Sequence, residues 1–253
     1  LRQIRLVPAV GEALPTEAAR MIRSAPRIVV LGDSITYSGE WVEFLEAGIR
    51  QIDPGSHPEI LNLGLPSETA SGLSEEGHAG GAFPRPDVHE RLARVLSRLK
   101  PDLILACYGM NDGIYFPLEE SRFAKFRDGM RRLHEAAAHE GVRVIHLTPP
   151  VFDSQPLKGR TLPAGLKAYP QPFEGYDEVL SAYSQWLVAQ RASGWQVVDV
   201  HGPMRGFLDT QRSQDPAFTL SGDGVHANRQ GHWLMAREAL RAMGAQGAWV
   251  DAS

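Results

Sequence analysis

The chain has 253 residues and a formal net charge of −4, with 43% hydrophobic and 22% charged residues. That length suffices for one large α/β domain, and an acidic balance with no Lys/Arg cluster excludes a nucleic-acid footprint. No apolar run reaches the roughly 18 residues of a membrane helix, and a lone cysteine, Cys107, rules out an internal disulfide.

Residues 1–25 read as an N-terminal extension packing on a single domain that occupies 26–253. The first buried strand falls at 27–31 (RIVVL), a helical pattern over 40–50 follows, and 59–63 (EILNL) reads as a second strand. After Pro86, Asp87 with Glu90 three positions on makes a box-like helix start. Val88, Leu92, Val95, Leu96 and Leu99 then share one face, and Pro101 stops the helix. The third strand is 102–107 (DLILAC). A helix over 118–140 sets Phe123, Phe126, Met130, Leu133 and Ala137 at spacings of three and four. The fourth strand is 142–147 (VRVIHL), and a long segment rich in Pro, Phe and Tyr runs over 148–176. A helix over 176–191, a fifth strand at 196–200 (QVVDV) and a polar loop lead to a last helix capped by Asn228. That helix carries Trp233, Leu234, Ala236, Leu240 and Met243.

Strand–helix alternation predicts parallel strands with right-handed crossovers, hence a three-layer α/β/α sandwich. In such sheets ligands bind at the carboxyl ends of the strands, so the residues just after each apolar run are the ones to examine. Ser34 follows the first strand in Gly32-Asp33-Ser34; its local alternative is a turn or helix cap. Gly64 follows the second strand and offers an unshielded backbone N–H, or simply a turn. Asn111 follows the third in Gly109-Met110-Asn111-Asp112-Gly113, where a side-chain amide can donate to a developing oxyanion. Asn, Asp and Gly also dominate turns for local reasons. Asp223 and His226 lie three residues apart on the loop before the last helix. A carboxylate on Nδ1 fixes the imidazole tautomer and leaves Nε2 free as a base. Together these residues supply a nucleophile, a base, an orienting acid and oxyanion donors.

This constellation resembles the SGNH/GDSL hydrolases, whose four blocks are marked by Ser, Gly, Asn and His. Gly32-Asp33-Ser34-Ile35-Thr36 resembles the first block and Asn62-Leu63-Gly64 the second. Gly109-Met110-Asn111-Asp112 matches the third and Asp223-Gly224-Val225-His226 the last, with Asn228, Gly231 and His232 continuing it. The blocks stand in order from residue 32 to residue 232. The resemblance implies a flavodoxin-like sheet of five parallel strands and no metal or organic cofactor. It implies Ser34, Asp223 and His226 as the catalytic group, with Ser34, Gly64 and Asn111 as the oxyanion hole.

The expected activity is hydrolysis of a carboxylic ester through an acyl-Ser34 intermediate. Aromatic rings mixed with Asp153, Ser154, Gln155, Lys158 and Arg160 in 148–176 point to a short-chain, acetyl-type ester of a carbohydrate or similar polar alcohol. The alternatives are an acyl hydrolase for longer chains and a non-catalytic carbohydrate-binding protein on the same fold. A nucleotide or phosphate binder lacks a basic residue at the first turn. Asp223, His226 and His232 match no strong zinc spacing. Asp33 and Asp112 read as turn braces, Cys107 as a buried apolar residue, and His78 as a loop residue bordering the site. The expected partner is a small-molecule or carbohydrate ester, with no nucleic acid and no membrane span; oligomeric state stays open. The chain starts at Leu1, and both a cytoplasmic location and export with a signal peptide removed fit the sequence.

Overall fold

The apolar runs pair into one sheet. Strands β1 (Arg27–Gly32), β2 (Glu59–Asn62), β3 (Leu103–Cys107), β4 (Arg143–Leu147) and β5 (Gln196–Val198) lie in the order β2-β1-β3-β4-β5, all parallel. The structure is a computed structural model and describes residues 24–55 and 57–245. The expected extension over 1–25 lies almost wholly outside the described residues. Inner strands β1, β3 and β4 are buried along nearly their whole length, because helices cover both faces of a parallel sheet. That double burial explains why these inner strands read as nearly continuous apolar runs, while the edge strand β2 is only half-buried.

Among the described residues seven α-helices complete the layers: α1 (Ser34–Tyr37), α2 (Glu40–Ile52), α3 (His89–Leu99), α4 (Glu120–His139), α5 (Tyr176–Ala189), α6 (His201–Gln214) and α7 (Arg229–Ala242). Right-handed crossovers put α2 and α7 together on one face and α3, α4 and α5 on the other. The strand order reverses at β1, so the crevice between the ends of β1 and β3 is the topological switch point. The Asn228 side chain caps α7 by accepting from Gly231 N–H at 3.0 Å. Asp87 accepts from His89 N–H, also at 3.0 Å, at the entrance to α3. Helix α6 stands where the sequence suggests a polar loop. Gly202, Pro203 and Gly206 hide it, but Pro203 sits in the first turn, where the missing N–H costs no intrahelical bond. Met204 and Leu208 anchor α6 in the core.

The segment 148–176 departs from its expected role. Phe152, Tyr169, Phe173 and Tyr176 all turn inward, each at most 9% exposed. Tyr176 lies 4.9 Å from Tyr115 and Tyr169 the same distance from Phe116, centroid to centroid. Lys158 and Arg160 face solvent. The segment is therefore a structural cover whose rings are spent on packing, not a platform of aromatic faces for substrate. Burying four large rings is the energetically dominant choice for a segment that has no strand or long helix of its own.

Gly64 marks the closest approach of two chain segments at the site edge. A Cβ there would lie 2.2 Å from Tyr37 N and 2.7 Å from the Thr36 carbonyl carbon. Both obstacles are backbone, so the clash cannot be relieved by a rotamer change. Gly64→Ala should destabilise the protein by about 1–3 kcal/mol. Gly206→Ala, at an open position in α6, should stabilise by about 0.5–1 kcal/mol. Urea denaturation of the two variants checks this; a neutral Gly64→Ala would contradict the packing.

His146 lies fully buried on β4, with Nε2 3.1 Å from His134 Nδ1 and its ring stacked 4.7 Å from Trp195. Burial, reinforced by His134, pushes its pKa down to about 3. An unfolded histidine titrates near 6.5. The unfolded chain thus binds a proton the native state refuses, and stability is lost as pH falls from about 6.5 toward 3. His146→Gln should shrink the loss of unfolding free energy between pH 7 and pH 5 by about 2 kcal/mol. Equal pH dependence in both proteins would contradict this.

Candidate active site

Ser34 stands at the end of β1 as the first residue of α1. Asp33 caps that turn, its Oδ1 accepting from Ile35 N–H at 2.9 Å. Far along the chain, the loop before α7 folds around a second carboxylate. Asp223 Oδ1 accepts from the N–H groups of Val225 and His226 at 3.0 and 2.8 Å, while Oδ2 lies 2.7 Å from His226 Nδ1. His226 Nε2 then reaches Ser34 Oγ at 2.8 Å. Gly224 makes the turn possible: its φ is +83°, and a Cβ there would lie 2.5 Å from the Asp153 carbonyl oxygen. Burial pushes the Asp223 carboxyl up, but His226 and the two backbone N–H groups outweigh it and hold it at about 2. An ionised Asp223 selects the Nδ1–H tautomer and leaves Nε2 able to accept the serine proton. The side chains of His226 and Asp223 are 51% and 55% exposed, so the group opens to solvent.

Asn111 lies 4% exposed beyond β3. Its Nδ2 has long contacts, 3.4 Å to Asp33 Oδ2 and 3.3 Å to Glu68 O. Gly64 is brought to the same edge, but its N–H donates to Asn62 Oδ1 at 2.9 Å. Asn62 also donates to Thr36 O at 2.7 Å and so ties this turn to α1. Glu68, fully buried, holds Arg91 at 2.5 and 2.6 Å and accepts from Tyr108 OH at 2.6 Å. Arg91 in turn donates to Leu63 O at 2.7 Å, bracing the chain just before Gly64.

Segment 148–176 braces the other two turns. Tyr176 OH donates to Met110 O at 2.8 Å and accepts from Gly113 N–H at 3.1 Å, gripping the turn that carries Asn111. Asp153 N–H donates to Gly224 O at 2.8 Å. The Asp153 carboxylate accepts from Arg212 at 2.6 Å and from Thr219 Oγ1 at 2.8 Å, fixing the loop that carries His226.

The remaining expected residues take supporting places. Asp112 accepts from Ala70 and Ser71 N–H at 2.8 and 2.7 Å, a brace between two turns. Burial raises Asp112 to about 6 and Asp33 to about 7, so at neutral pH Asp112 is still mostly ionised whereas Asp33 carries only part of a negative charge beside Asn111. Cys107 is buried, and burial pushes its thiol up. His232 Nε2 lies 3.2 Å from Ser38 Oγ, where it ties α7 to the end of α1. No group of three His, Cys, Asp or Glu side chains is arranged to hold a metal ion among the described residues. No helix among them is long and apolar enough to cross a membrane. His78 contacts Glu75 at 3.4 Å and stacks edge-on against Phe83. It is linked to the site through Glu75 and Arg85, whose Nη1 donates to Asn111 Oδ1 at 3.0 Å. Arg85, Tyr115 and the clamping role of Asn62 carry no sequence signal, since each depends on a contact that only the fold creates.

The model of the GDSL-like lipase/acylhydrolase family matches residues 30–234, well over half of the chain. Among solved structures, a gut microbial diltiazem-metabolizing enzyme aligns at 20% identity and a TM-score of 0.68, over 87% of this chain and 47% of its own. This chain therefore spans about half of that protein. A single-substitution variant of Axe2, an acetyl-xylooligosaccharide esterase from Geobacillus stearothermophilus, aligns at 17% identity and TM-score 0.65, over 89% of this chain and 97% of its own. LAE5, an alpha/beta hydrolase enzyme from the metagenome of Lake Arreo, Spain, aligns at 22% identity and TM-score 0.61, over 88% and 96%. At such identities the likeness is one of fold. A search of curated proteins by sequence gave no match. The family match, over the residues that carry all four blocks, settles the class: the chain belongs to the GDSL-like lipase/acylhydrolase family and is a carboxylic ester hydrolase.

Proposed function

We propose that the chain cleaves short-chain esters of a polar, carbohydrate-like alcohol through an acyl-Ser34 intermediate. The observation that carries the chemistry is the unbroken path from Ser34 Oγ through His226 to Asp223, at 2.8 and 2.7 Å. Ser34 Oγ adds to the ester carbonyl while His226 Nε2 takes its proton. His226 then hands that proton to the leaving alcohol. Water enters, gives its proton to His226 and attacks the acyl carbon, and Ser34 leaves with the proton returned. Asp223 remains ionised throughout and stabilises the imidazolium.

The oxyanion is held by Ser34 N–H, at the start of α1 where no intrahelical acceptor exists, and by Asn111 Nδ2. Each such donor is worth about 3 kcal/mol of barrier. Gly64 serves as a third donor by sharing its hydrogen between Asn62 Oδ1 and the oxyanion.

The substrate reading rests on how the site opens. His226 and Asp223 are half exposed, which suits an ester carried on a bulky polar alcohol. Tyr37 lies three residues after Ser34 at the end of the same short helix and is 65% exposed, an aromatic ring open to solvent close in sequence to the nucleophile. A structural neighbour named as an acetyl-xylooligosaccharide esterase fits the same class of substrate. A longer acyl chain would need a continuous apolar channel, and the rings of 148–176 are already buried in the core.

A series of esters tests the reading. Acetate and butyrate esters should exceed decanoate by about tenfold or more in kcat/KM, a factor of about 1.4 kcal/mol. An acetylated sugar should exceed an aryl acetate. Ser34→Ala and His226→Ala should each lower kcat by several orders of magnitude, about 10⁴ or more, with Asp223→Ala less severe. A preference for decanoate overturns the substrate class, and near-native turnover by Ser34→Ala overturns the mechanism.

A further inference from the structure

An asparagine amide has a donor end and an acceptor end of nearly the same shape. Asn111 can stabilise an oxyanion only with Nδ2 toward the reacting carbon, and a flip of the amide would present Oδ1 there instead. Oδ1 is claimed on its far side by two donors, Arg85 Nη1 at 3.0 Å and Tyr115 OH at 3.1 Å. A flipped amide would turn its own N–H groups against the Arg85 guanidinium, which has no acceptor to offer, and would forfeit the bond that Tyr115 OH donates.

Neither donor is there by accident of packing. Arg85 is 8% exposed, and its Nε and Nη2 are both locked by Glu75 at 2.7 Å. Burial pulls the guanidinium down, but Glu75 more than offsets it, so the group stays charged. The guanidinium also lies 5.4 Å from the centre of the Tyr115 ring. Tyr115 is reached by an unusual path: Ile114 and Tyr115 have φ of +48° and +60°. A β-branched and an aromatic residue in succession in the left-handed region store strain, which persists only where surroundings over-determine it. Phe173 N–H donates to Tyr115 O at 2.9 Å and supplies part of that restraint.

We propose that Arg85, clamped by Glu75 and assisted by Tyr115, is a positioning residue that locks the Asn111 amide with its donor end toward the oxyanion. The inference rests on the acyl-Ser34 reading, in which Asn111 is that donor. The fixed positive charge behind the amide also polarises it, strengthening the N–H as a donor when negative charge develops.

A double-mutant cycle tests it, with kcat and KM measured on acetate esters. Asn111→Ala alone should lower kcat by about 10²–10³-fold. Arg85→Met should lower kcat by about 10–10²-fold with KM within about threefold, because the bond it supports forms in the transition state. Introduced into Asn111→Ala, Arg85→Met should change kcat by less than about twofold, since its effect passes through Asn111. Tyr115→Phe removes one hydroxyl with little change of shape and should show the same pattern at about 3–10-fold. That variant decides the matter if Arg85→Met does not fold. Equal losses in both backgrounds, or losses confined to KM, overturn the positioning role while leaving the Ser34 mechanism standing. Native kcat in Asn111→Ala overturns the oxyanion reading and the inference with it.

Discussion

Strand β1 is paired with β3 so that Gly32 sits opposite Cys107. Both strands end there, and the two chains diverge into separate turns from a common edge. This register sets where Ser34 and Asn111 can stand relative to one another, because each follows its strand within four residues. A slip of one residue would send alternate side chains to the opposite face. The pairing is fixed by the burial of Ile28, Val29, Val30 and Leu31 against Leu103, Ile104, Leu105 and Ala106, all at 0% exposure. The geometry of the site is thus a consequence of core packing several residues away from any polar atom that could do chemistry.

Loops supply the rest, and each loop is held by buried polar groups. The Gly64 turn is tied by Asn62 to Thr36 and by Arg91 to Glu68. The Asn111 turn is tied by Tyr176 OH and by the Asp112 carboxylate. The His226 loop is tied by Asp153 through Arg212 and Thr219. Buried groups of this kind are costly when left unpaired, so the bonds they do make restrain the loops strongly. The half-exposed line of Ser34, His226 and Asp223 is thus held in place by the loops that carry it.

The sheet was legible because parallel strands covered on both faces leave an unmistakable signature of short apolar runs, and all five recur within a residue or two of the expected bounds at their N-terminal ends. Ser34, Asp223 and His226 were legible for a related reason. They sit where a parallel sheet gathers residues distant in sequence, and the structure brings them into one hydrogen-bonded line. Helix α6 was hidden because Gly and Pro near its start mimic a turn. The orientation of 148–176 was hidden because an irregular segment has no period to say which side of it faces inward. Arg85 sits in the unremarkable run Gly81-Ala82-Phe83-Pro84-Arg85-Pro86, and its importance arises from a contact with Asn111 across 26 positions. Local sequence encodes strand ends well and long-range polar partners poorly.

The central claim is that Ser34 is made nucleophilic by His226. A fluorophosphonate probe reacts only with an activated serine and leaves a stable adduct that intact-mass and peptide mapping can locate. The account predicts one adduct per chain, on Ser34, and loss of labelling in His226→Ala. Labelling at another residue, or undiminished labelling of Ser34 in His226→Ala, would contradict it.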